Sequence, residues 1–273
     1  MPGRLYIVAT PIGNLEDITY RAVRTLREVT VIAAEDTRQT RKLLDHYGIA
    51  TPAVSYHDFN EAERTSELTA RLVGGDSIAL VSDAGMPLIS DPGYRLVKAA
   101  IENGIAVHPI PGPSAALSAL AGAGLPTDQF HFGGFLPHKP GQRVNALKAL
   151  ADEEATLIFY EAPHRILETL EAIQATLGAR PVVVARELTK LHEEFLRGTA
   201  AGIAAQLAAR DAVKGEITVL IGKATAPRPD DTPLAEAVAQ LERAGTPRMD
   251  AIKQVARRRG LSKREVYDRL LEK

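Results

Sequence analysis

Short apolar runs alternate with longer amphipathic stretches over about the first 120 positions. Leu5–Thr10, Val29–Ala33, Ala53–Tyr56, Ile78–Val81 and Ala106–Ile110 read as strands. Between them Ile18–Arg27, Thr37–His46, Asn60–Leu72 and Pro92–Asn103 read as helices, and another runs from a Ser114 cap to about Ala123. Strands that alternate with helices in this way predict a doubly wound α/β layer. Gly122-Ala123-Gly124-Leu125-Pro126 punctuates the pattern and predicts a hinge, which sets a first α/β domain at 1–122. A looser repetition follows. Phe130–Phe135, Thr156–Tyr160, Val182–Ala185, Phe195–Gly198 and Ile217–Gly222 read as strands, with helices at Arg143–Leu150, Arg165–Leu177 and Thr199–Ala209. Several connections there are short, so a mixed sheet is expected in a second α/β domain at 123–225.

A proline-rich linker at 226–233 leads to a basic helical module at 234–273. Thr246-Pro247 reads as a cap followed by Pro in the first helical position, and Ser262–Glu265 as a capping box. Ala256, Gly260, Leu261 and Val266 have the spacing of a helix-turn-helix; the alternative is a helical hairpin packed on the body.

Three predicted strand ends share one character. Thr10 leads into Pro11-Ile12-Gly13-Asn14, Val81 into Ser82-Asp83-Ala84-Gly85, and Ile110 into Pro111-Gly112-Pro113-Ser114. In an open parallel sheet, ligands bind outside the carboxyl ends of the strands. Small residues and free backbone N–H groups there suit a small ligand held by backbone. Asp83 is the single acid of these three turns; it either receives a ligand amine or hydroxyl, or bonds its own turn. No G-x-G-x-x-G follows the first strand, and the chain holds no phosphate-binding G-x-x-x-x-G-K-[ST].

VATPIGN at Val8–Asn14, LVSDAG at Leu80–Gly85 and PIPGPSA at Pro109–Ala115, in that order and spacing, resemble the tetrapyrrole-methylase superfamily of S-adenosylmethionine-dependent methyltransferases. Ala34–Arg38, Tyr56–Glu61, Tyr160–Arg165 and Arg186–Lys190 narrow the resemblance to a branch acting on small-subunit ribosomal RNA. It runs from about residue 4 to the C-terminus. The resemblance implies methylation of a ribose 2′-oxygen of a cytidine in the decoding region of 16S rRNA. It also implies a homodimer, and S-adenosylmethionine bound in a bent form in the cleft between the two α/β domains. By the same resemblance, Pro11, Asp83, Ser114, Ala115, Tyr160 and Glu161 line the cofactor. Ser82 and Ala84 belong to that turn too, but Ser82-Asp83-Ala84 departs from the Gly-Asp-Pro of many members.

A ribose hydroxyl is weakly acidic, so a proton acceptor is expected near it. The candidates are Glu35, Asp36, His57, Asp58 and His164; Glu35 and Asp36 follow a strand at the ligand edge, His57 follows another, and these three are the leading catalytic candidates. Asp36 alternatively caps the next helix, and His57 alternatively makes an ordinary polar contact. Arg38, Arg41, Arg165 and Lys190 are candidates for RNA contact, although the charged run at 187–194 also reads as a solvated loop.

Net charge is −1, which taken whole argues against nucleic acid. From Arg243 onward, however, the balance is about +6, leaving about −7 for the rest. A basic appendix on an acidic body suits phosphate contact, with Arg257, Arg258, Lys263 and Arg264 as the expected groups. Zero cysteines excludes disulfides, thiolate metal sites and a Cys nucleophile, and no metal site is expected. No apolar run approaches a membrane span, so a soluble cytoplasmic protein is expected. The expected partner is 16S rRNA within the 30S subunit, because RNA loops are recognised largely by shape. The competing functions are methylation of a porphyrin-type ring and DNA binding by a ligand-sensing helix-turn-helix protein.

Overall fold

The computed structural model describes residues 2–224, 232–243, 245–259 and 261–271. Two compact units divide the chain, Met1–Ala224 and Thr225–Lys273.

The first unit opens with the parallel strands β1 (Arg4–Val8), β2 (Val31–Ala34), β3 (Ala53–Ser55), β4 (Ile78–Val81) and β5 (Ala106–Ile110), in the order β3-β2-β4-β1-β5. Helices α1 (Tyr20–Glu28), α2 (Thr37–His46), α3 (Glu61–Val73) and α4 (Tyr94–Glu102) connect them. Strand side chains alternate between faces, and both faces are covered. Leu5, Ile7, Ile78 and Leu80 pack with Leu68 and Leu72 of α3 and Leu96 of α4. Val8, Ile32, Ala79 and Val81 pack on the other side with Leu26 of α1 and Leu44 of α2.

Next comes α5 (Ala115–Ala123), capped by Ser114, whose Oγ accepts from the Leu117 amide at 3.4 Å. The helix packs on the second sheet: Ala116, Ala119, Leu120 and Ala123 bury against Ile158, Val183, Ala185 and Leu220. A domain boundary expected after residue 122 therefore falls behind a helix that belongs, by its core contacts, with the strands that follow it. The whole of 2–224 is one compact unit.

The second sheet is mixed, as its short connections predict. It comprises β6 (Phe130–Phe135), β7 (Thr156–Glu161), β8 (Pro181–Arg186), β9 (Glu194–Thr199) and β10 (Ile217–Ile221), in the order β6-β7-β10-β8-β9. Only β6 and β7 pair in parallel. The period of two sends Leu157, Phe159, Val184 and Val219 to the face opposite α5, where α6 (Pro140–Ala149), α7 (Ile166–Leu177) and α8 (Ala200–Ala208) cover them.

The second unit holds α9 (Leu234–Arg243), α10 (Arg248–Arg258) and α11 (Lys263–Leu271) around a core of its own that includes Val238, Ile252, Val255 and Val266. The capping box is present: Ser262 N donates to Glu265 Oε2 at 2.7 Å, and Glu265 N to Ser262 Oγ at 3.1 Å. Pro247 occupies the cap position of α10 itself, so Thr246 is not its cap. Ala256 and Val266 are buried as the helix-turn-helix spacing requires; Gly260, most of the proline-rich linker and the side chains of Arg257 and Arg258 lie outside the described residues. Among the described residues no helix is long and apolar enough to cross a membrane.

Candidate active site

A cavity of about 420 Å³ lies between the two sheets of the first unit. Its floor is formed by turns at the carboxyl ends of the parallel strands, which cross-brace one another. Thr10 and Gly85 exchange backbone hydrogen bonds at 2.9 and 3.0 Å, and Thr10 Oγ1 donates to the Ser82 carbonyl at 3.1 Å. Gly85 has φ of 82°, a conformation that side-chain-bearing residues rarely adopt. Gly112 lies so close to β1's turn that an added Cβ would stand 2.9 Å from Ala9 Cβ.

Glu35, Asp83, Ala84, Ser114, Ala115, Tyr160 and Glu161 all face this cavity. Pro11 and Ser82 do not line it; Ser82 is buried beneath, and the cavity is met by Ile12 instead. Asp36 and His57 also stand outside it. Asp36 caps α2, its carboxyl accepting from the Arg38 amide at 2.8 Å and also from the Arg38 guanidinium. Arg38 holds the Asp36 carboxyl down to about 2, which makes it a poor proton acceptor. His57 is tied to Asn60, whose Oδ1 accepts from the His57 amide at 2.8 Å.

Sequence reasoning missed Asp91, Ser90, Phe135, Leu188 and Glu216, which also line the cavity. The signal for Asp91 was present as a second Ser-Asp step, Ser90-Asp91, followed by Pro92 in the same loop as Asp83. Backbone strain also marks that loop, since Leu88 and Ser90 both adopt positive φ, at 73° and 69°.

The carboxylates dominate the electrostatics. Burial, then the charge of Glu35, pushes Asp91 up to about 6, against a smaller opposing hydrogen bond from Ser82. Burial also raises Glu35, with Asp83, Asp58 and Asp36 adding repulsion, and burial raises Asp83. Asp83 Oδ1 accepts from the Asp36 amide at 3.0 Å, and the Asp83 amide donates to Glu35 Oε2 at 3.4 Å. Clustered carboxyls that face one cavity favour a cationic ligand, which relieves their mutual repulsion.

Glu161 contributes at the cavity wall from a buried network. Thr169 Oγ1 donates to Glu161 Oε2 at 2.6 Å and accepts from Arg143 Nη1 at 2.9 Å. Arg165, expected on RNA, is buried: its Nη2 donates to the Leu136 carbonyl at 2.8 Å and its Nε stands 3.4 Å from Glu161 Oε1. An arginine so enclosed supports the wall and cannot reach a nucleic acid. Lys190 is likewise committed, held at 2.9 Å by both Glu187 and Glu216 at the cavity rim. Arg41 pairs with Asp45 along α2, and its side chain is 59% exposed.

The lining fits S-adenosylmethionine. Ile12, Met86, Leu188 and Ile217 provide apolar walls for a nucleoside, while Asp83, Glu35 and Asp91 match a positively charged ligand. Among the described residues no group of His, Cys, Asp and Glu could hold a metal ion.

Residues 4–204 match the family model described as Tetrapyrrole (Corrin/Porphyrin) Methylases. The ribosomal RNA small subunit methyltransferase I of Halalkalibacterium halodurans is 51% identical over 97% of this chain and 94% of its own length. That of Mesorhizobium japonicum is 50% identical over 98% of this chain and 91% of its own. The crystal structure of uroporphyrin-III C-methyltransferase from Thermus thermophilus, complexed with S-adenosyl homocysteine, superposes with a TM-score of 0.56 at 19% identity, covering 81% of this chain and 98% of that one; this likeness speaks for the fold alone. The chain belongs to the tetrapyrrole methylases and, within them, to the ribosomal RNA small subunit methyltransferase I family, and it is a methyltransferase with S-adenosylmethionine as its methyl donor.

Proposed function

We propose that this enzyme methylates the ribose 2′-oxygen of a cytidine in the decoding region of 16S rRNA, presented within the 30S subunit, and that it works as a homodimer. The observation that carries the chemistry is the meeting of three carboxyls, Glu35, Asp83 and Asp91, in one partly apolar cavity at the strand ends. The substrate follows the names of relatives about half identical to the chain over nearly its full length.

When bound, S-adenosylmethionine supplies a methyl group on a cationic sulfur. The cavity's part is positioning and charge. Apolar walls and the cross-braced turns fix the donor, which converts a bimolecular encounter into a held geometry. Asp83 complements positive charge and orients the Asp36 turn. Glu35 and Asp91, both held above the ordinary carboxylate range, are the groups suited to take the proton of the attacking hydroxyl. In the second unit, Lys263 and Arg264 are exposed and available to RNA phosphate.

The test offers labelled S-adenosylmethionine with 30S subunits, naked 16S rRNA and a tetrapyrrole in parallel, followed by digestion to nucleosides. Label in a 2′-O-methylcytidine supports the reading, and the ribosomal form that is labelled identifies the substrate. Label in the tetrapyrrole alone overturns it. Sedimentation of the pure protein decides the dimer.

A further inference from the structure

The turn at 57–60, between β3 and α3, belongs to neither the cavity nor the core, and it carries an almost fully exposed aromatic ring. Phe59 is 99% exposed, yet the turn beneath it is firmly held. Asn60 N donates to the His57 carbonyl at 2.9 Å, and Asn60 Nδ2 donates to Ser55 Oγ at 3.2 Å. The His57 ring meets Phe59 edge-on at 6.1 Å. Glu61, at the start of α3, accepts from the Gly93 amide at 3.2 Å and pairs with Arg95 Nε at 3.1 Å. That carboxylate locks the Phe59 turn to the first residues of α4, where Tyr94 is 70% exposed. The same loop carries Asp91 into the cavity.

A fixed, solvated phenyl ring is a stacking surface. Its surroundings identify what it suits. Arg95, tied to the same turn through Glu61, is exposed and able to meet phosphate, while Asp58, exposed next to Phe59, offers an acceptor to an exocyclic amine such as that of cytosine. Asp58 also lies close enough to Glu35 and Asp91 for its charge to act on both, which places the turn beside the cavity. An apolar protein partner would have to desolvate these charges around a single ring. An unpaired base stacks on the ring and leaves them in water.

We propose that the 57–60 turn is a platform on which Phe59 stacks an unpaired base of the substrate RNA, with Arg95 and Tyr94 flanking it, beside the methyl-donor cavity. This rests on RNA being the substrate. Because Phe59 touches little of the fold, Phe59→Ala leaves folding intact.

The test compares wild type, Phe59→Ala and Phe59→Trp for methyl transfer to 30S subunits, for S-adenosylmethionine affinity by calorimetry, and for sedimentation. Phe59→Ala is expected to lower kcat/KM between about fivefold and a hundredfold, mainly through KM, at unchanged donor affinity. Phe59→Trp is expected to restore it. Wild-type activity on RNA with kcat/KM unchanged in Phe59→Ala overturns the platform alone. No transfer to RNA by wild type overturns the RNA reading and the platform with it. A change of oligomeric state in Phe59→Ala assigns the ring to a second copy of the chain and also overturns the proposal.

Discussion

Asp83 accepts a hydrogen bond from the backbone N–H of Asp36 at 3.0 Å, across 47 positions of sequence. The adjacency of β2 and β4 makes this possible, and it aligns two strand-end turns on one side of the cavity. Asp83→Ala is expected to weaken S-adenosylmethionine binding by about tenfold or more, by removing both a charge and this brace. Asp83→Asn keeps an acceptor for the Asp36 amide and should lose less. Calorimetry on both variants separates charge from brace, and equal donor affinity in wild type and Asp83→Ala would refute the role.

Donor binding is expected to depend on pH through Asp91. Burial raises its carboxyl from 3.8 to about 6 in the fold, so its contribution to stability is fully present below about pH 4 and lost as pH rises through about 6. A cationic donor favours the ionised form. Affinity for S-adenosylmethionine should therefore rise between about pH 5 and pH 7, and rise less in Asp91→Asn. A calorimetric pH series checks it; identical profiles in the two proteins would speak against Asp91.

Arg165 should behave as a buried structural cation. Its side chain is 8% exposed beside a Glu161 side chain at 0%, so Arg165→Met strands a buried carboxylate. The expected loss is about 3–5 kcal/mol of stability in urea denaturation. Adding Glu161→Gln should recover part of it, because the double variant removes the stranded charge.

Exposed cations of the second unit should act through phosphate. The Arg264 side chain is 91% exposed and only 3.7 Å from Asp268, a pairing worth little in water. The double variant Lys263→Ala, Arg264→Ala is expected to weaken RNA binding, with the slope of log affinity against log salt reduced by about 0.7–0.9 per lost contact. Filter binding over a salt series reads it. Donor affinity is expected to stay unchanged.

Most elements were legible because their signals are local. Thr37–His46 is helical as read, since Asp36 caps it and its apolar positions recur on one face. The strands were legible because Leu5, Ile7, Ile78 and Leu80 face one layer while Val8, Ala79 and Val81 face the other, which makes each run continuously apolar between turn residues. The three ligand turns were legible from their Pro, Gly and Asp content, and a long similarity to a known family joined them into one site.

What the tertiary structure decided is which distant groups share an environment. Asp91 looks like any loop acid until the two sheets close around it and burial raises it, while Glu216 reaches the same cavity from an exposed position at its rim. Arg165 carries an exposed residue's chemistry in the sequence, but Leu136, Pro137 and Glu161 gather around it and take it out of reach. Helix α5 follows β5 in the chain yet packs on the second sheet, because its small Ala face fits Ile158, Val183 and Leu220. Periodicity and turn chemistry are written in neighbouring residues; burial, charge coupling and the company of a long polar side chain depend on residues brought together only by the fold.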